Sequence, residues 1–243
     1  MIPRWMGGWL FFLAGSVSAG ETLLPVTIAV SDTHRLQRGA RVFMNYCSGC
    51  HSLQYLRYNR MAEDLGLRTF TGEVDTDLLT NNLIFTSSKP YDPIQNSMPE
   101  ADARQWFGRL PPDLSLSARE HGPDWIYTYL KSFYTDHKRP FGSNNLLIPD
   151  VAMPNVLAPL IGHVELEKGS STRLILIEPG EMTPQELDSM IQDLVTFLVY
   201  AAEPSQLTRV RIGIVVLCFL SLFFIVVWRL KRWYWRALFR VEK

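Results

Sequence analysis

The sequence is poor in cysteine, with three residues in 243. Two of them, Cys47 and Cys50, stand three positions apart, and the third, Cys218, lies inside an apolar run. A structural zinc site needs two further Cys or His ligands at short spacing, and the sequence offers none. A redox dithiol of thioredoxin type needs a strand–helix context, which the flanking residues lack. Net charge is missing too: 24 Lys and Arg balance 24 Asp and Glu. The balance hides an uneven distribution. Residues 1–20 carry only Arg4, and residues 209–243 carry eight basic side chains against Glu242 alone. The segment 21–208 is therefore acidic, near −8. That sign disfavours nucleic acid and suits steering of a basic protein partner.

What is present is the run Cys47-Ser48-Gly49-Cys50-His51. Two thiols at this spacing can each add to a vinyl group along one edge of a haem. The next residue, His51, then falls under the iron. Cys-x-x-Cys-His is the sequence sign of covalent c-type haem attachment, and the imidazole supplies one axial ligand.

The rest of the chain is organised around that motif. Residues 1–19 read as a signal peptide, with Arg4 as a small n-region, apolar Trp9 to Val17 and a cleavage site at Val17-Ser18-Ala19. Its apolar stretch of about nine residues is too short to span a bilayer. Export fits the motif, because c-type haem is attached outside the bacterial cytoplasm. Residues 21–31 look extended. Asp32 or Ser31 caps a helix running into the motif, with Leu36, Ala40, Phe43 and Cys47 on one face. Gly39 on that helix allows another helix to come close.

Residues 52–110 lack long periodic elements. Tyr55, Arg57, Tyr58 and Arg60 are candidates for the haem edge, and 75–85 is a candidate helix. Pro111-Pro112-Asp113-Leu114-Ser115 stops any helix and opens a capped turn. Gly122-Pro123 opens a helix to about Tyr134, with Trp125, Tyr129 and Phe133 on one face. Residues 139–160 read as loop, and 163–177 as a small hairpin with His163 on a surface strand.

Thr183-Pro184-Gln185-Glu186 is a capping box. It starts a helix with Leu187, Met190, Ile191, Leu194, Val195 and Leu198 on one face, the expected partner of the helix before the motif. Glu203-Pro204 ends it. Ile212 to Trp228 has no charge and is long enough to cover most of a hydrocarbon core. Basic residues beyond it place the C-terminus in the cytoplasm and the haem domain outside.

Spacing leaves the second axial ligand open. Met98-Pro99 and Met153-Pro154 both lie in loops able to cross the ring, and the longer Pro/Asn/Gly loop favours Met153. Met44 and Met61 lie too near the motif, and Met182 and Met190 belong to the C-terminal helix. His34, His121, His137 and His163 are less attractive.

At this point the residues resemble the cytochrome c1 family, the haem subunit of the bacterial quinol–cytochrome c oxidoreductase, or cytochrome bc1 complex. The likeness rests on the haem motif with the following 52–58, on Met98-Pro99-Glu100 and on Pro111 to Ser115. It continues through 124–130, Ala152-Met153-Pro154 and the stretch from Thr196 to Pro204 before one membrane helix. The resemblance implies a mainly α fold: a class I cytochrome c-like haem domain with long loops and a small hairpin, plus one C-terminal transmembrane helix. It implies one covalent haem c on Cys47 and Cys50, with His51 and Met153 as axial ligands. It implies electron transfer from the Rieske iron–sulfur protein to a c-type cytochrome acceptor, beside cytochrome b in a dimeric complex, with no substrate chemistry of its own.

The expected organisation is a signal peptide at 1–19, a periplasmic haem domain at 20–205, an anchor in the inner membrane at 206–230 and a basic cytoplasmic tail at 231–243. Family members often carry two arginines after the Pro-Pro-Asp-Leu-Ser stretch, one facing a haem propionate. Here Arg119-Glu120-His121 puts His121 in place of the second. Two other classes compete: a membrane-anchored cytochrome feeding a terminal oxidase, and a haem enzyme or gas sensor with an open axial site.

Overall fold

The computed structural model describes residues 23–167, 169 and 173–240. The expected signal peptide at 1–19 lies outside the described residues. In chain order the elements are α1 (Thr33–Tyr46), β1 (Leu53–Arg57), α2 (Tyr58–Asp64), α3 (Thr76–Asn82), β2 (Pro93–Ile94), α4 (Glu100–Phe107), α5 (Ser117–Glu120) and α6 (Pro123–Lys131). There follow β3 (Phe133–Thr135), β4 (Ser143–Asn145), α7 (Ala158–Ile161), β5 (Gly162–Leu166), β6 (Leu174–Pro179), α8 (Pro184–Ala202) and α9 (Gln206–Arg240). The described residues are mainly helical, with three small antiparallel strand pairs.

The helix before the motif packs on α8. Asp32 caps α1 by accepting from the N–H groups of His34 and Arg35 at 3.0 and 3.2 Å. Leu36, Ala40 and Phe43 are buried, as their spacing predicts. A side chain at Gly39 would run into the Asp193 carbonyl, with Phe197 Cβ 2.7 Å away. The backbones therefore meet at a position where only glycine fits. Beside the crossing, buried Asp193 accepts from Arg35 Nε at 2.8 Å and Arg38 Nε at 2.6 Å. Phe43 and Phe197 meet with ring centroids 5.8 Å apart. Each such fully buried side chain contributes about 1.5–3 kcal/mol.

The expected capping box is present. Thr183 Oγ1 accepts from Glu186 N, and Glu186 accepts from Thr183 N at 2.9 Å. On the inward face of α8, Ile191, Leu194, Val195 and Leu198 are buried. Tyr200 near its end donates to Asp64 Oδ2 of α2 at 2.8 Å.

The weakly periodic middle of the chain forms short elements fixed by pairing. Leu53 of β1 lies opposite Ile94 of β2, and both are fully buried. The helix opened by Gly122-Pro123 stops at Lys131 rather than near Tyr134. Phe133–Thr135 instead pair with Ser143–Asn145 inside the region expected to be loop. The hairpin β5–β6 forms where alternation placed it, although residues 168 and 170–172 of its turn lie outside the described residues.

Past Pro204, α9 is 35 residues long. Its large apolar residues are exposed, Val215 at 65% and Phe224 at 68%.

Candidate haem site

Cys47 is the C-cap of α1, and its N–H donates to Phe43 O at 2.8 Å. The next residues turn tightly, with Cys50 N and His51 N both donating to Cys47 O, at 3.0 and 2.8 Å. One turn thus brings both thiols and the imidazole to the end of one helix. Both cysteines are free thiols and partly exposed. Burial pushes the Cys47 thiol up to about 12 and also raises Cys50. A redox dithiol needs the opposite shift. Among the described residues no three His, Cys, Asp or Glu side chains gather as a metal site.

The Pro111-Pro112 turn holds the histidine. His51 Nδ1 lies 2.8 Å from Pro112 O. A carbonyl only accepts, so the proton sits on Nδ1 and the Nε2 lone pair is free. The imidazole is almost wholly buried. Burial lowers its pKa, against the raising pull of the Pro112 carbonyl and of Asp113. A neutral imidazole with a fixed tautomer is what an axial ligand requires.

Four further bonds clamp this segment. Leu114 N donates to Ser52 O and Gln54 N to Asp113 Oδ2, both at 2.9 Å. Asn96 Nδ2 donates to Cys50 O at 2.7 Å, and Asn96 N to Ser52 Oγ at 2.9 Å. Pro112 thus supplies the acceptor for the imidazole N–H from within the turn. The Asn96 clamp had no signal in spacing.

Met153 is half-buried, and Tyr129 Oη donates to its Sδ at 3.4 Å. Tyr129 belongs to an aromatic stack along α6. Trp125 lies parallel to it at 5.2 Å, Phe133 edge-on at 5.1 Å, and His121 stacks on Trp125 at 4.3 Å. Burial pushes the Tyr129 hydroxyl up to about 12, so it stays a donor. Asn145 Nδ2 donates to Tyr129 O at 2.8 Å and ties α6 to the loop that ends in Met153.

Met98 sits in the loop between β2 and α4. His34, His121 and His137 are exposed, and His163 pairs with Glu165 at 2.9 Å. Of the residues following the motif, Tyr58 is buried in the core and Tyr55 is 74% exposed. Arg57 donates to Tyr91 O and Arg60 to Asp64.

The donor set fits haem c. Two free thiols sit at the required spacing, a neutral histidine follows with Nε2 available, and a thioether is held by a hydrogen-bond donor. Leu114, Trp125, Tyr129 and Val156 are partly buried apolar residues packed on the core. When bound, the haem supplies the one-electron couple, and the chain supplies attachment, ligands and a dry surround.

Comparison with known proteins agrees. A family model described as the cytochrome c1 family matches residues 27–238. Cytochrome c1 of Allochromatium vinosum is 49% identical over 89% of this chain and 90% of its own length. A protein of Nitrosomonas europaea named ammonia monooxygenase gamma subunit is 40% identical over 93% of this chain and 92% of its own. Cytochrome c1 of Rhodospirillum rubrum is 30% identical over 84% and 82%. With a match running from before the motif into the membrane helix, the chain belongs to the cytochrome c1 family, whose proteins bind one covalent haem c and carry electrons in membrane-anchored bc1-type complexes.

Proposed function

We propose that this chain takes electrons from a Rieske iron–sulfur protein and passes them to a c-type cytochrome, as the haem subunit of a dimeric quinol–cytochrome c oxidoreductase beside cytochrome b. Cys47 and Cys50 attach the haem through thioethers, and His51 Nε2 and Met153 Sδ are its axial ligands. The observation that carries this reading is the 2.8 Å bond between His51 Nδ1 and Pro112 O, which fixes the ring and leaves Nε2 to coordinate. A thioether ligand in a dry site gives a positive potential, suited to a Rieske donor. The haem domain has the class I arrangement at 20–205 and faces the periplasm. Residues 206–230 anchor it in the inner membrane, and 231–243 form a cytoplasmic tail.

No proton or substrate chemistry is asked of the side chains. Pro112 and Tyr129 orient the two ligands, and the core helices keep water out. The test is Met153→Leu in the full chain. The midpoint potential falls, and the reduced protein acquires a spectral response to carbon monoxide. An unchanged potential rejects Met153 as the ligand. Partners are tested separately, by purification in mild detergent. Co-purification with cytochrome b and an iron–sulfur protein supports the complex. Co-purification with ammonia monooxygenase subunits instead would give this chain the assembly that its Nitrosomonas relative is named for.

A further inference from the structure

One arginine near the site is left half satisfied. A cavity of about 250 Å³ opens beside the Met153 loop, lined by Trp106, Phe107, Phe141, Arg139, Ser143 and Ala152. Its walls are aromatic, with Phe107 and Phe141 at 5.1 Å and Trp106 edge-on to Phe107 at 6.5 Å. Arg139 Nη1 donates to Asp150 Oδ1 at 2.7 Å, but Asp150 itself is 73% exposed. That carboxylate therefore meets the guanidinium from the solvent side. On the same guanidinium, Nε is buried and has no acceptor. Buried N–H groups of this kind are nearly always paired, so an orphan asks for a missing acceptor. A guanidinium fork matches a carboxylate.

The surrounding loop is shaped to hold this arrangement. Asp150 has φ +62, a left-handed conformation uncommon outside glycine and best tolerated by Asp and Asn. Its N–H is held by Asn144 Oδ1 at 2.9 Å. Ser143 Oγ accepts from Asn155 N at 3.1 Å, so the cavity wall is tied to the chain just after Met153. The cavity thus borders the loop just before the methionine, with Ala152 in its lining. A haem ligated by Met153 would lie next to this lining, and haem c carries two carboxylates.

We propose that Arg139 anchors one haem propionate through its inward-facing N–H groups, with Asp150 holding the guanidinium from outside. This rests on the ligation reading above, and the test keeps the two apart. The holoprotein is compared with Arg139→Gln, Arg139→Lys and Asp150→Asn by covalent haem content, visible spectrum and midpoint potential.

A cation beside the haem favours the reduced state, which carries one positive charge fewer. Arg139→Gln shifts the redox equilibrium toward the oxidised form by about tenfold, equivalent to about 59 mV for one electron. Arg139→Lys keeps the charge and most of the potential. Asp150→Asn removes the opposing charge and raises the potential. An Arg139→Gln potential equal to wild type overturns the proposal. So does an Asp150→Asn potential that falls, because a mere structural brace responds alike from either end. If Arg139→Gln fails to mature, the sign of the Asp150→Asn shift still decides. Failure of Met153→Leu to move the potential rejects the ligand assignment and leaves the sign of the two charge variants to be read on its own.

Discussion

The hydroxyl of Tyr129 is the group in contact with the Met153 sulfur, and its effect has a sign. On the proposed ligation by Met153, a donor to the sulfur draws electron density from it and weakens it as a ligand to the oxidised iron more than to the reduced. Tyr129→Phe removes the donor and keeps the ring, so packing against Trp125 and Phe133 survives. A hydrogen bond is worth about 0.5–1.5 kcal/mol net, and one-electron conversion makes that about 20–60 mV. The expected result is a midpoint potential lower by that amount with an unchanged haem content. Redox titration of the purified holoprotein measures it, and a potential equal to or above wild type contradicts the assignment. At this scale the sequence was legible where local chain spacing does the work. Cys47, Cys50 and His51 share one turn, and their motif carries its own chemistry. Tyr129 was visible as one residue of an aromatic face, but not as a donor to Met153. That contact joins a helix to a loop 24 residues further on, and no periodicity encodes it. The same holds for Asn96 on Cys50 and for Arg139 on Asp150.

Among the elements, the crossing of α1 and α8 has the clearest energetics. In an open helix Gly→Ala is stabilising by about 0.8–1.0 kcal/mol through propensity. At Gly39 the new Cβ meets the Asp193 carbonyl, which is backbone and cannot rotate away. Overpacking costs about 1–3 kcal/mol or more, so Gly39→Ala is destabilising on balance. Calorimetry of the holoprotein checks the sign, and a raised Tm contradicts it. Asp193→Ala strands Arg35, only 17% exposed, and Arg38, 53% exposed. Breaking a buried pair costs about 3–5 kcal/mol. The half-solvated Arg38 puts this one near 3 kcal/mol, read as a loss of unfolding free energy in denaturant.

The cap of α8 adds a pH dependence. Thr183 N–H and its hydroxyl hold the Glu186 carboxyl below its ordinary value. Its contribution is present above the unfolded carboxylate pKa and is lost as pH falls through the folded one. The stability gap between wild type and Glu186→Gln therefore closes in acid, and a gap constant with pH contradicts this. Elements of this kind, α1 with its Asp32 cap, α8 with its box and the β5–β6 hairpin, were readable because pattern and boundary signals agree. The strands β1 to β4 were not. At two to five residues they are too short for a period, and tertiary pairing decides them.

At the scale of the whole molecule, the haem domain and α9 obey different solvents. Phe43, Leu53 and Ile191 are fully buried, whereas Val215 and Phe224 in α9 are about two-thirds exposed. An apolar helix so uncovered is stable in hydrocarbon, where its backbone bonds are satisfied internally. Its 35 residues make about 52 Å at 1.5 Å each, against a hydrocarbon core of about 30 Å, so both ends reach the interface. The link is slight: Glu203 and Arg209 pair across Pro204 at 2.5 Å. A chain ending at Ser205 is therefore expected to stay in solution without detergent, with the haem spectrum and potential of the full protein. Precipitation, or a changed haem spectrum, would mean that α9 supports the fold. Arg229, Lys231, Arg232, Arg236 and Arg240 follow the apolar run, and such residues stay on the cytoplasmic side. Protease added outside intact spheroplasts should then digest the haem domain and spare a C-terminal tag. Loss of the tag under those conditions would invert the orientation, and with it the side of the membrane on which Cys47 and Cys50 receive their haem.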